Sequence, residues 1–358
     1  MNPGLTFKFY HLSEDSFEFL KSFFEIKKYP HWFNPNVKQA IIASFPNLIS
    51  LREISMNPEL YQFPDISAVS DVQEKLERNV WEYSIGENKI KIDHPLIMGI
   101  LNVTPDSFSD GGKFSEPGAA INHAGRMVEE SADIIDIGAE STRPGSLPVS
   151  IEEEWNRIFP VLKKVRKKIS RPISVDTCKS EIARRAFEEG ADLLNDVSAL
   201  RFDPDMAGIV AGYKAPVILM HMQGTPRDMQ KDPAYENLLE EIFEFFIKQV
   251  AYARNNGIDQ IILDPGIGFG KRYEDNFELI RRLAEFKVLG FPLLLGTSRK
   301  SFIGRALDKN VEERVFGTAA TAAIGILNGA KILRVHDVKE IRDVISIAAS
   351  IKNLSYSG

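Results

Sequence analysis

The chain has 358 residues, 44% of them hydrophobic and 26% charged, with a formal net charge of -6 and one cysteine. That balance excludes a general attraction to nucleic acid or to anionic membrane, and a lone Cys178 excludes an internal disulfide or a thiolate metal centre. No segment approaches the roughly 20 uninterrupted apolar residues of a membrane span, and MNPGLTFKFYHLSED lacks the layout of a secretory signal, so a cytoplasmic protein is expected.

Residues 1–80 read as a small, mainly helical N-terminal extension of open role. SEDSFEFLKSFFEIKKY begins on Ser and acidic residues and predicts a helix; NPNVKQAIIASF and DVQEKLERNV predict two more. Pro and Asn interrupt the region, and it carries no repeat and no catalytic cluster. Within residues 81–95, WEYSIGENKIKID alternates around Gly-Glu-Asn and predicts a β-hairpin.

Over residues 96–352 short apolar runs alternate with segments of helical period. The runs are PLIMGI, DIIDIG, RPISVD, DLLNDV, APVILMHM, QIILDPG, PLLLGT and KILRVHD. They are apolar on both faces, as parallel strands covered by helices must be. KSEIARRAFEEG and LLEEIFEFFIKQVAYARNNG between them end on Gly190 and Gly257, which suit left-handed helix stops. Eight β-then-α units in about 260 residues predict an α/β fold, a (β/α)8 TIM barrel. An open doubly wound sheet is the rival, but it would favour a phosphate-binding glycine fingerprint after the first strand, and none stands there.

The polar residues are placed as informatively as the apolar ones. Asn102, Glu140, Asp176, Asn195, His221, Asp264, Ser298 and His336 fall at or just past the ends of the predicted strands. In a barrel those ends converge on one rim, where the loops build the active site. Helix capping accounts for any one of these residues and poorly for all eight. After the first strand, LNVTPDSFSDGG gathers more hydrogen-bonding groups around a bare Phe108 than a turn requires.

DPGIGFGK lets the backbone pass close to a flat ligand, with Phe269 as a stacking face; a glycine-rich turn is the plainer reading. GTSRKSFIG sets Arg299, Lys300 and Ser301 where a helix N-terminus favours anions, or else forms a solvated basic loop. RVHD puts Arg334 and His336 on one face of the last strand, a pair suited to a diphosphate leaving group. Asp176, Asn195 and Asp264 together match the 2-amino-4-oxo edge of a heterocycle. Unpaired acids on one rim would be costly without a ligand or a cation. His221 is as readily a satisfied core histidine as a ligand, and Cys178 reads as packing.

The segments LIMGILNVTPDSFSDGG, IDIGAESTRPG, ISVDT, LLNDVSAL, DPGIGFGK, LLLGTSRKSFIG and ILRVHDV, in that order from about residue 90 to 350, resemble the motif set of the dihydropteroate synthase family. The resemblance implies condensation of (7,8-dihydropterin-6-yl)methyl diphosphate with 4-aminobenzoate, giving 7,8-dihydropteroate and diphosphate, a step of folate biosynthesis. It implies Mg2+ on Asn102, bridging a diphosphate also met by Thr142, Arg334 and His336. Asp176, Asn195 and Asp264 would hold the pterin edge, with Lys300 at its ring oxygen and N5 side. Phe108, Thr142, Arg143, Pro144, Phe269 and Ser301 would line the 4-aminobenzoate pocket. The catalytic set would be Asn102, Asp176, Lys300, Arg334 and His336, with the Phe108 loop as a flap that shields a reactive cation from water.

The resemblance also implies a homodimer and ordinary sulfonamide sensitivity. ERVFGTAATAAIGILNG is a candidate contact face, or equally a helix packed on its own barrel. Two other readings stand beside the synthase: a pterin-dependent (methyltetrahydrofolate) methyltransferase and a catalytically silent pterin-binding paralogue. The methyltransferases lack the TPDSFSDGG and STRPG loops and the Arg/His pair of the last strand, and every motif position that decay would alter is intact.

Overall fold

The computed structural model describes residues 5–9, 13–27, 31–33, 41–45, 70–86, 88–103, 117–141 and 145–352. The chain divides into two compact units, Met1–Arg78 with Val288–Gly290, and Asn79–Lys287 with Phe291–Gly358.

In the first unit, helix α1 (Glu14–Lys27) starts on Glu14 and Asp15, which favour the positive end of the helix dipole. Ser16, Leu20 and Phe24, four residues apart, form its buried face. A second helix, α2, spans Ser70–Glu77. Strands β1 (Leu5–Phe9), β2 (His31–Phe33) and β3 (Ile41–Phe45) make an antiparallel sheet in the order β1-β3-β2. The helix expected over NPNVKQAIIASF is therefore corrected at its second half. Ile41 and Ile42 are β-branched, and β3 is the central strand, paired on both sides from Ile41 to Ala43.

The second unit begins with a hairpin, β4 (Trp81–Ile85) and β5 (Asn88–Ile92). Eight parallel strands follow: β6 (Leu96–Asn102), β7 (Ile134–Gly138), β8 (Ile173–Asp176), β9 (Leu193–Asp196), β10 (Val217–Met220), β11 (Ile261–Asp264), β12 (Leu293–Leu295) and β13 (Ala330–Val335). They pair in chain order and close, β13 on β6, into a barrel. The chain thus has the expected TIM barrel. Its outer helices are α3 (Pro117–Glu129), α4 (Ile151–Lys168), α5 (Ser180–Glu188), α6 (Met206–Tyr213), α7 (Leu238–Asn255), α8 (Tyr273–Arg281), α9 (Ser301–Leu307), α10 (Val315–Leu327) and α11 (Val338–Lys352). The predicted stops are real: Gly190 and Gly257 have φ of +94° and +82°.

The hairpin fills the N-terminal mouth. Alternate residues Trp81, Tyr83, Ile85, Ile90 and Ile92 pack with Leu96, Met98, Ile134, Leu193, Ile218, Ile262, Leu294 and Ile332 from inside the barrel. The Tyr83 hydroxyl donates to the Ile261 carbonyl at 2.6 Å, so its polar tip is satisfied within the plug. Among the described residues no helix is long and apolar enough to cross a membrane.

Candidate active site

With one mouth plugged, polar side chains collect at the other. Strands β6, β8 and β11 end on Asn102, Asp176 and Asp264. Asn195 and Arg334 are the last residues but one of β9 and β13, and His221 and His336 follow β10 and β13. Parallel register aligns Asn102 with Gly138, Gly138 with Asp176, and Asp176 with Asn195, so four adjacent strands deliver one layer of the rim. A Cβ on Gly138 would lie 3.3 Å from the Asp176 Cβ; its absence leaves room for that carboxylate.

Arg334 ties this layer together. Its Nε donates to Asp136 Oδ2 at 2.7 Å and its Nη2 to Asp176 Oδ2 at 2.7 Å, while Asn195 Nδ2 donates to the same Asp136 oxygen at 3.2 Å. The acids of the rim are therefore not unpaired, and the cation that offsets them is the arginine expected to serve diphosphate. Burial raises the Asp176 carboxyl above the ordinary carboxylate range; Asp136, Glu154 and Asp196 add to that effect, against the pull of Arg334. Asp136 itself was missed by the sequence reading. The available signal was an acid in the middle of DIIDIG, an otherwise apolar strand where a charge needs a partner.

The DPGIGFGK loop after β11 is fixed through its own backbone. Gly266, at φ +72°, presses so closely on β10 that a Cβ would sit 1.9 Å from the His221 carbonyl oxygen. Its N–H donates to Asp264 Oδ1 at 2.8 Å, and the Gly268 N–H donates to Asn276 Oδ1 at 2.6 Å. The carbonyls of Ile267, Gly268, Phe269 and Gly270 accept from Lys300, Gln230, Lys271 and the Tyr235 hydroxyl in turn. Lys271 is buried and also meets His221 Nδ1 at 2.9 Å, which makes His221 a core histidine with a partner. Burial pushes Lys271 down to about 7 and His221 well below its usual value.

Lys300 stands over the Phe269 ring, 4.5 Å from its centroid, so the stacking face expected at Phe269 carries an ammonium in this state. Burial pushes Lys300 down to about 8 and raises the Asp264 carboxyl; each charge opposes the shift of the other. His336 is held by Ser298, whose Oγ lies 3.0 Å from Nδ1 and accepts from the His336 N–H at 3.1 Å. Arg299, read as an anion ligand, is paired instead with Asp337, with Nε–Oδ2 at 3.1 Å. Glu140 is paired with Lys179, which also holds the buried Glu154. Ser301 is the exposed first residue of α9, and Cys178 packs beside Val197, Met220, Met222 and Met229.

Phe108, Thr142, Arg143 and Pro144 lie outside the described residues, as do residues 104–116, where the flap was expected. Among the described residues no group of three or more His, Cys, Asp or Glu is arranged to hold a metal. At the end of β6, the half-buried Asn102 supplies one neutral amide oxygen. Among the described residues that is one neutral oxygen donor, fewer than Mg2+ held by protein groups alone would take.

Residues 98–336 match the model of the pterin binding enzyme family. The chain is 50% identical over 258 residues to the dihydropteroate synthase of Synechocystis sp., covering 71% of this chain and 89% of that protein. It is 45% identical over 260 residues to that of Escherichia coli, covering 72% and 92%. Among solved structures it is similar to the Yersinia pestis dihydropteroate synthase in complex with a sulfonamide drug, with TM-score 0.74 and 40% identity over 76% of this chain and all of that one. It is also similar to the Xanthomonas albilineans dihydropteroate synthase in complex with 7,8-dihydropteroate, with TM-score 0.70 and 37% identity over 77% of this chain and all of that one. Family model, relatives and barrel agree over the same span: the chain belongs to the dihydropteroate synthase family of pterin-binding enzymes.

Proposed function

We propose that this chain condenses (7,8-dihydropterin-6-yl)methyl diphosphate with 4-aminobenzoate at the C-terminal mouth of its barrel. The supporting observation is the convergence at one mouth of Asp176, Asn195, Asp264 and Arg334, from four strand ends, and of Lys300, from the loop after β12, with Asn195 and Asp264 buried and the other three half-buried. Acceptors on Asp176 and Asp264 and the amide of Asn195 match the N–H and NH2 groups of a pterin edge. Lys300 is assigned to the ring oxygen and the N5 side. Phe269, Ser301, Phe108, Thr142, Arg143 and Pro144 are assigned to the 4-aminobenzoate pocket.

A dihydropterin stabilises positive charge on its exocyclic methylene as diphosphate departs, so the enzyme has to stabilise the leaving group rather than provide a nucleophile. Arg334 donates two N–H groups to Asp136 and Asp176 and retains others for diphosphate, to which His336 and Thr142 are also assigned. Asn102 would hold Mg2+, which neutralises diphosphate charge when bound. The neutral arylamine then attacks, and its proton leaves to water or a weak base. No covalent intermediate on the enzyme is required.

A homodimer through α10 and α11 is part of the same reading. Phe316 is 78% exposed and Ile347 65%, with Ile324, Leu327 and Ile351 also open, an apolar face that a second copy would cover. The test of function is diphosphate release by the purified protein with each substrate and Mg2+ omitted in turn. Release that requires all three, with dihydropteroate formed in step, is expected. Pterin binding without any release would point to a silent paralogue or a methyltransferase.

A further inference from the structure

Asp136 lies inside β7 with no solvent exposure, and one of its oxygens, Oδ2, takes both Arg334 Nε at 2.7 Å and Asn195 Nδ2 at 3.2 Å. Its other oxygen, Oδ1, is buried and accepts no hydrogen bond. Both donors belong to residues that the proposed function places on substrate, whereas Asp136 itself is shut away from the mouth. An amide has two N–H hydrogens and one oxygen. With one N–H turned onto Asp136, Asn195 has its second N–H and its oxygen left, a donor beside an acceptor. The opposite sense would set amide oxygen against carboxylate, so the charge at 136 decides which way the amide points. Arg334 is fixed on two edges by the same means, Nε on Asp136 and Nη2 on Asp176, which sets the plane of its guanidinium.

We propose that Asp136 is a positioning residue for the pterin substrate, setting the sense of the Asn195 amide and the plane of the Arg334 guanidinium. The proposal rests on the pterin-site reading above. Asp136→Asn removes the charge that orients both groups, and Asp136→Glu keeps the charge but displaces it by one methylene. Steady-state kinetics with both substrates varied, unfolding midpoints, and binding of pterin-6-carboxylate are measured on the parent chain and on both variants.

In both variants KM for the pterin diphosphate rises roughly tenfold or more, as for loss of a hydrogen bond to a charged group. KM for 4-aminobenzoate stays at the parent value. The pH profile separates orientation from packing. Asp176 is faced by Arg334 from β13, Asp136 from β7, Glu154 from α4 and Asp196 from β9, and Asp136 is one of the groups that raise its carboxyl. Asp136→Asn therefore moves the acid limb of kcat/KM to lower pH, while Asp136→Glu leaves it in place.

A parent-like pterin KM in either variant overturns the role of Asp136. So does an equal loss for both substrates with a lowered unfolding midpoint and an unmoved acid limb. If Asp136→Asn does not fold, the substrate-selective KM of Asp136→Glu decides. A parent chain that binds no pterin-6-carboxylate overturns the site reading itself, which separates the two failures.

Discussion

At its N-terminal mouth the barrel is stopped by Trp81, Tyr83, Ile85, Ile90 and Ile92, whereas at its C-terminal mouth the same strands present Asp176, Asp264 and Arg334, joined by Lys271 and Lys300 from the loops. The apolar end gains from burial, about 1.5–3 kcal/mol for each large side chain. The polar end does the reverse: burial pushes Asp176 and Asp264 up and Lys271 and Lys300 down, so each charge there is held against its own desolvation. One end stabilises the barrel and the other draws on that stability to keep charged groups poised for a ligand. Mutations at the two ends should therefore fail in different assays.

The largest effect on activity is expected from Lys300→Met. Removing this ammonium lowers kcat/KM by about 100- to 1000-fold, the range for loss of one preorganised electrostatic contact, with an unfolding midpoint near that of the parent. Ile92→Ala at the opposite mouth does the converse. Ile92 has no solvent exposure, and its truncation costs about 2–5 kcal/mol in denaturant titration while kcat/KM of the folded enzyme is unchanged. An Ile92→Ala enzyme that is stable but slow, or a Lys300→Met enzyme that is active but unstable, would break the division between the mouths.

Titration sharpens it further. The Asp176 carboxyl is raised, so its ionised form is lost as pH falls, whereas the Lys300 ammonium is lost as pH rises through about 8. kcat/KM is expected to be bell-shaped, falling about tenfold per pH unit on each flank. Asp176→Asn removes the acid limb and Lys300→Met the alkaline one. A profile of Lys300→Met that still falls above pH 8 would assign the alkaline limb to another group.

Stability should respond as well, by less. Lys271 titrates at about 7 in the folded chain, below its unfolded value of about 10.4. Between those values the unfolded chain binds the extra proton, so stability rises with pH across that window. Lys271→Met should flatten that rise in denaturant midpoints taken at successive pH values. The smallest effect on turnover is expected from Phe316→Glu, which places a charge on the open face of α10. Sedimentation should find a monomer in place of a dimer, with kcat little changed.

Much of the site was legible because a parallel strand exposes its chemistry at one end. An apolar run that finishes on Asp264, or on Asn195 and Asp196, announces both a strand and a rim residue, and the register then brings the ends together. Arg334 was legible as a rim cation, but its partners were not. Asp136 sits inside a strand rather than at its end, and only closure of β13 onto β6 brings the arginine near it. Arg299 looked like an anion ligand until Asp337, 38 residues away in sequence, proved to be its partner. The strand Ile41–Phe45 differs from the expected helix for the same kind of reason: it pairs with β2 and also with β1, far back in the chain, and that pairing outweighs the local helical pattern.

By itself the sequence determined the barrel, the order of its strands, the hairpin before it, the family, and most of the polar residues of the rim. These follow from hydrophobic period, stop signals and motifs, all of which are local. The tertiary structure alone decided which charges neutralise one another, that Lys271 and His221 are buried together, and that Asp136 lies behind Asn195 and Arg334. Those outcomes depend on distances between strands far apart in the chain, and on burial deep enough to make an unpaired charge costly.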